Sequence, residues 1–226
     1  QGYSSAASDV YKRQVVIFSP FYENYGADTI LSGAEPIYVP LVPPDFTFSI
    51  EQLENAFKQG AKALILCNPS NPCGKVFTFE ELTAIADVVK KYDAYVVTDE
   101  VYEHIVYAPN KHIYMQALDG MRERTIVCNS LSKTYSITGW RLGYVIANPE
   151  IIDRVKKVHD FLTVGAAAPL MEAATVGLKF DDKYYDELAA HYAHMKEVFV
   201  GGLEKLGLKY TDPQGAYYAV SYRHLT

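Results

Sequence analysis

The 226-residue sequence has no run of about 18 apolar residues, which removes a membrane-spanning helix. It has no cluster of lysine and arginine, and its formal net charge is −6. Both argue against a nucleic-acid surface. It shows no signal-peptide pattern, no internal repeat and no low-complexity tract. Cysteine is scarce: Cys67, Cys73 and Cys128 are few and odd in number, which excludes a disulfide scaffold. Each sits in or beside an apolar run, so reduced thiols and a cytoplasmic setting are expected. Hydrophobic residues make up 49% of the chain, enough for the core of one large domain, or one and part of another. Tyrosine is abundant, at 19 residues, but tyrosine alone selects no function.

The hydrophobic pattern alternates between short continuous runs and helical periods. Residues 15–18, 34–41, 63–67, 94–98, 125–128 and 142–147 read as strands, several of them buried on both faces. Between them, a helix ending near Gly33 is expected, then one over 49–57 opened by a Ser49/Gln52 capping box. The clearest helix is 78–92, with a Thr78/Glu81 capping box and Leu82, Ile85, Ala86 and Val89 at helical spacing. Strand, helix, strand implies a βαβ crossover and therefore an α/β domain with a mostly parallel sheet. Residues 108–123 read as a long polar loop. Helices are expected from Pro149, over 164–178, and over 181–206, where Tyr185, Leu188, Tyr192, Met195, Phe199, Leu203 and Leu206 line one side as core or partner contact. Residues 215–220 read as a strand. Residues 1–14, and the terminal SYRHLT, show no clear pattern and read as appended sequence or a disordered leader.

The stretch NSLSKTYSITGWRLGY, residues 129–144, organises the rest. Ser130, Ser132 and Lys133 fall where the strand over 125–128 ends, and carboxyl ends of strands are where ligands sit in α/β sheets. A lysine amine can form a Schiff base with an aldehyde, and pyridoxal phosphate is the biological aldehyde that uses one. Ser130 and Ser132 offer hydroxyls to its phosphate, and Arg141 a bidentate fork. Each piece alone is as consistent with a solvated loop or a turn.

SLSKTYSITGWRLGY resembles the lysine segment of the class I/II aminotransferases of fold type I, the aspartate and aromatic aminotransferase family. NPSNPCG (68–74) and TDEVYEHIVY (98–107) resemble two further motifs of that family, in the same order. The likeness runs from about residue 15 to about residue 220. The resemblance implies the PLP-dependent transferase fold, with a partial large domain over 15–180 and the start of a smaller α+β domain over 181–226. It implies pyridoxal 5′-phosphate as cofactor, with Lys133 covalently bound to it and then acting as general base and acid. Asp99 would meet the ring nitrogen, Asn71 and Tyr102 the phenolic oxygen, and Tyr22 the ring face. Ser130, Ser132 and Arg141 would hold the phosphate. From the residues alone, Tyr22 is equally a packing tyrosine, Asp99 a helix N-cap and the Asn71 segment a proline-rich turn. The family often has tryptophan where this chain has Tyr22, and usually threonine where it has Cys73.

The implied reaction moves an amino group between an amino acid (aspartate-, aromatic- or alanine-like) and a 2-oxo acid. A PLP-dependent β-lyase or decarboxylase could use the same residues, and a transcriptional regulator could carry such a domain. A homodimer is expected for the full-length protein, with no nucleic-acid or membrane partner. The family's substrate-carboxylate arginine and its early glycine-containing phosphate loop find no counterpart here, so the sequence as it stands reads as an internal fragment with little or no turnover.

Overall fold

In the computed structural model, residues 13–221 are described. Six strands form one sheet: β1 (Arg13–Ser19), β2 (Ala34–Pro40), β3 (Ala63–Cys67), β4 (Tyr95–Asp99), β5 (Thr125–Ser130) and β6 (Gly143–Ile146), in the order β2-β1-β3-β4-β5-β6. All neighbours are parallel except β5 and β6, giving the mostly parallel α/β sheet that the pattern implied. β1 starts at Arg13 and pairs it with Ala34, while the Gln14 carbonyl accepts from Lys62 N–H. Residues 13 and 14 therefore belong to the sheet rather than to a leader; the rest of the expected leader lies outside the described residues.

The crossovers are α1 (Asn24–Leu31), α2 (Ile50–Lys58) and α3 (Phe79–Lys91). The starts of α2 and α3 follow the sequence. Thr78 Oγ1 accepts from Glu81 N–H, and the Glu81 carboxylate accepts from Thr78 N–H, a complete capping box. At α2 only half of the expected box forms: Ser49 Oγ accepts from Gln52 N–H at 3.3 Å. Glutamine brings no charge to strengthen the return bond. Leu53 and Phe57 of α2 and Leu82, Ile85 and Val89 of α3 pack against Val16, Leu64 and Val96 of the sheet in one buried cluster. Removing any one of these large side chains would cost about 2–5 kcal/mol.

The region beyond β6 is built differently from the core. α5 (Pro149–Thr163) begins with Asn148 capping Glu150 N–H; α6 (Ala168–Gly177) and α7 (Asp182–Lys205) follow. Of these, α6 starts four residues later than its pattern suggested, beyond a glycine and two alanines that leave 165–167 without a nucleating apolar face. No residue of α5 or α7 is buried, so the expected stripe on α7 is not core here, and Met195 and Phe199 are exposed. β6 is exposed along its whole length. The expected loop over 108–123 carries a short 3-10 turn at Met115–Ala117, whose Met115 fills the core. Residues 215–220 form no strand. Their backbone is bound instead to single points elsewhere, at Gly74, Ile105 and Thr211, because no neighbouring strand runs alongside them.

Candidate active site

The carboxyl ends of β1, β3, β4 and β5 share one edge of the sheet, and antiparallel β6 begins at that same edge. The segments that follow or precede them carry the chemistry. After β1, Tyr22 stands just before α1. After β3, the loop 68–77 carries Asn71. Asp99 closes β4, and Tyr102 lies one turn beyond. Ser130 closes β5; Ser132 and Lys133 sit on α4 (Leu131–Thr134). All eight side chains singled out in the sequence, Tyr22, Asn71, Asp99, Tyr102, Ser130, Ser132, Lys133 and Arg141, line one cleft of about 360 Å³. That volume is in the range of small-molecule sites.

Two of the segments are held by strong local rules. Ser130 Oγ accepts from Ser132 N–H at 3.1 Å, capping α4, and its own proton is shared between Ser132 Oγ at 2.7 Å and the Leu142 carbonyl at 3.1 Å. The last bond ties the Lys133 turn to the strand that follows Arg141. Arg141 itself has left-handed backbone, φ 57° and ψ 41°, which costs a non-glycine residue about 1–2 kcal/mol. It is kept there by the Leu131 N–H bond to the Leu142 carbonyl at 3.1 Å and by its own Nη1 bond to the Thr138 carbonyl at 3.1 Å. Strain of this kind gathers at functional sites.

The Asn71 loop is fixed from outside. Lys75, almost wholly buried, pairs with Glu81 at 2.7 Å. The Gly74 carbonyl accepts from both Gln214 and Gly215 N–H, and Gln214 Oε1 accepts from Val76 N–H. Gly215 lies so close to the loop that a Cβ there would come within 2.8 Å of Val76 Cγ2 and 2.9 Å of both Pro69 Cβ and the Ile105 carbonyl. Glycine is the residue that permits this approach.

Asp99 is half-buried. Its Oδ1 accepts from Val101 N–H at 3.2 Å and its Oδ2 from the Tyr25 hydroxyl at 2.6 Å. The sequence left open a helix N-cap at Asp99; turns rather than a helix follow β4, and the Val101 bond closes a turn instead, which coexists with a place in the cleft lining. Tyr102 shares a hydrogen bond of 2.9 Å with Tyr218. Burial first, and that bond second, push its pKa far above the usual phenol value, so it stays a neutral donor. Contact with the Tyr217 phenol holds the Lys133 ammonium above the ordinary lysine value, outweighing partial desolvation. The Lys133 Nζ lies 5.7 Å from the Tyr217 ring centre.

The structure therefore brings together the lysine and the acid on which the reading depends. It also adds residues that the sequence reading missed. Asn24, Val101, Thr138 and Tyr218 complete the lining, and Tyr25 stands behind Asp99. Tyr25 had a signal, since it lies three positions from Tyr22 at the start of a helical pattern, on the same face. Tyr217 and Tyr218 had none, being over a hundred residues from Tyr102.

A model of the aminotransferase class I and II family matches residues 6–224, a longer stretch than the likeness traced through motifs. Kynurenine–oxoglutarate transaminase 3 of Homo sapiens is 36% identical over 225 aligned residues, covering 92% of this chain and 50% of the relative. The aspartate aminotransferase of Pyrococcus abyssi is 35% identical over 208, covering 91% and 54%. Among solved structures, N-succinyldiaminopimelate aminotransferase from Mycobacterium tuberculosis superposes with a TM-score of 0.87 at 32% identity, over 91% of this chain and 54% of that one. The aromatic aminotransferase from Pyrococcus horikoshii does so with 0.87 at 35%, over 92% and 57%. The chain spans about half the length of the curated relatives it matches.

Proposed function

The chain belongs to the aminotransferase class I and II family, and from that premise we propose that it forms the cofactor site of an enzyme that moves an amino group between an amino acid and a 2-oxo acid. The family depends on pyridoxal 5′-phosphate. When bound, that group supplies an aldehyde for amines and a ring that withdraws electrons from the carbon beside the substrate nitrogen.

The donor set fits this cofactor. One amine, one carboxylate, two serine hydroxyls and one guanidinium line a single cleft, which matches an aldehyde, a basic ring nitrogen and a phosphate. In our reading Lys133 holds the cofactor covalently. Once freed by a substrate amine, the Lys133 amine would be the group in the cleft able to take a proton from the substrate α-carbon and hand it to the cofactor's aldehyde carbon, two bonds away. Asp99 keeps the ring nitrogen protonated by its negative charge. Asn71 and Tyr102 donate to the phenolic oxygen, and Tyr22 covers a ring face and keeps water off it. Ser130, Ser132 and Arg141 hold the phosphate. Tyr217 favours the charged form of Lys133, so the amine must shed a proton before it can bind the aldehyde.

The observation that carries the proposal is that Lys133 and Asp99, from different strands, share one cleft with a phosphate-type donor set at Ser130, Ser132 and Arg141. Adding pyridoxal phosphate should produce an imine absorption band, and Lys133→Ala should abolish it. A band that survives would remove Lys133 from its role. For the whole protein we propose a symmetric dimer in the cytoplasm. Support comes from three unpaired thiols and from the apolar side chains that α5 leaves uncovered, with Phe161 90% and Leu162 75% exposed. Among the described residues no helix is long and apolar enough to cross a membrane.

A further inference from the structure

Asp99 has no cationic neighbour within ion-pair distance among the described residues. Its two oxygens are instead held by two neutral donors from different elements. The backbone N–H of Val101 is local. The Tyr25 hydroxyl arrives from α1, 74 residues away in sequence, at 2.6 Å. Two donors at opposite oxygens define the plane of a carboxylate; one leaves it free to turn. Neutral donors also leave the negative charge uncompensated, whereas an arginine or lysine there would cancel it.

Tyr25 is itself built into place. Gly26 beside it packs so tightly that a Cβ would lie 3.0 Å from the Tyr38 hydroxyl and 3.3 Å from the Phe21 ring, which fixes α1 against β2. The Tyr25 ring meets the Tyr22 ring edge-on at 5.6 Å. Burial, then the neighbouring Cys67 and Asp99, push the phenol's pKa far upward, so its proton remains available to Asp99 at any working pH.

We propose that Tyr25 is a positioning residue: it fixes the plane of the Asp99 carboxylate and leaves that carboxylate's whole charge to the cofactor's ring nitrogen. This rests on the assignment of Asp99 above. The sole loss in Tyr25→Phe is one oxygen, and Asp99 keeps its bond from Val101 N–H, so the fold is retained.

The test is a double-mutant cycle on pyridoxal phosphate affinity, read by the imine band, with circular dichroism as the check on folding. Tyr25→Phe is expected to weaken binding roughly ten- to a hundredfold, the value of a hydrogen bond to a charged group. In an Asp99→Ala background the same change should alter affinity by less than about twofold, because its target is gone. A cofactor analogue with carbon in place of the ring nitrogen should be indifferent to Tyr25→Phe for the same reason. Equal losses in both backgrounds, or with both cofactors, would show a merely structural tyrosine and overturn the proposal. So would wild-type affinity in Tyr25→Phe alongside a loss in Asp99→Ala, a result that leaves the role of Asp99 standing. Wild-type affinity in Asp99→Ala would instead strike down the assignment of Asp99, and Tyr25 with it.

Discussion

Beside the segment that carries Asp99 lies a buried histidine–carboxylate pair whose removal has a calculable cost. Glu100, the residue after Asp99, is 1% exposed. Its Oε1 accepts from the Thr98 hydroxyl at 2.8 Å, and its Oε2 from His112 Nε2 at 2.8 Å. Glu103 continues the network: its oxygens accept from Asn129 Nδ2 at 2.6 Å and the Tyr114 hydroxyl at 2.7 Å, and Asn129 Oδ1 accepts from Ser130 N–H. The segment after Asp99 is thereby tied to the segment that precedes Lys133. His112→Ala leaves the Glu100 carboxylate buried with one neutral donor. Breaking a buried pair from one side costs about 3–5 kcal/mol, a large share of the 5–15 kcal/mol or so that holds a domain together. For a chain of this length each kcal/mol moves the Tm by about 2–4 °C, so a thermal melt should fall by roughly 6–20 °C. Glu100→Gln in the His112→Ala background removes the uncompensated charge and should recover part of that loss. Glu100, Glu103 and His112 also approach within 4.8 Å of one another, close enough for a cation. Every carboxylate oxygen there already accepts from a protein donor, so a chelator should leave the Tm unchanged. A His112→Ala melt within about 2 °C of wild type, or no recovery in the double variant, would refute the argument.

Two further outcomes are expected. Gly215→Ala should lower stability by about 1–3 kcal/mol by overpacking, since one of the three atoms its Cβ would strike is the fixed Ile105 carbonyl; an unchanged melt would contradict the contact between residues 213–218 and the Asn71 loop. Burial pushes the Cys73 and Cys128 thiols up from 9.0 to about 11, so at pH 8 alkylation should run roughly a hundredfold slower than for a free cysteine and rise to the free rate on unfolding. The folded state keeps these protons when the unfolded chain has released them. Stability from this source is therefore complete below about pH 9 and lost as pH climbs towards 11, which a urea titration across that window would detect.

Much of the site was legible because it is local. Ser130, Ser132, Lys133 and Arg141 lie within twelve residues, and a buried strand followed by hydroxyls and an amine is a pattern the chain carries by itself. Asp99 and Asn71 were legible for the same reason, each at the end of a continuous apolar run. The cores of α2 and α3 followed from helical spacing, and the capping box at Thr78 from residue type. The failures share a cause. The expected strand over 215–220 has apolar residues but no partner strand, and pairing is not a property of one segment. The stripe on α7, read as core or partner contact, is half-buried at Tyr185, Leu188 and Tyr192 and exposed at Met195 and Phe199, and what covers the exposed part is not set by its own sequence. Ser49 shows the limit of residue type, since the same spacing gave a whole box at Thr78 and half a box there.

The sequence by itself determined which side chains could bind an aldehyde, a ring nitrogen and a phosphate, because those capacities belong to functional groups and their spacing along single strand ends. The tertiary structure alone decided that Tyr25 stands behind Asp99, that Tyr217 and Tyr218 close on Lys133 and Tyr102, and that Glu100 meets His112. Those contacts join segments far apart in the chain, some of them outside the sheet, and the distance between two such segments is written in the packing of the strands, helices and loops between them.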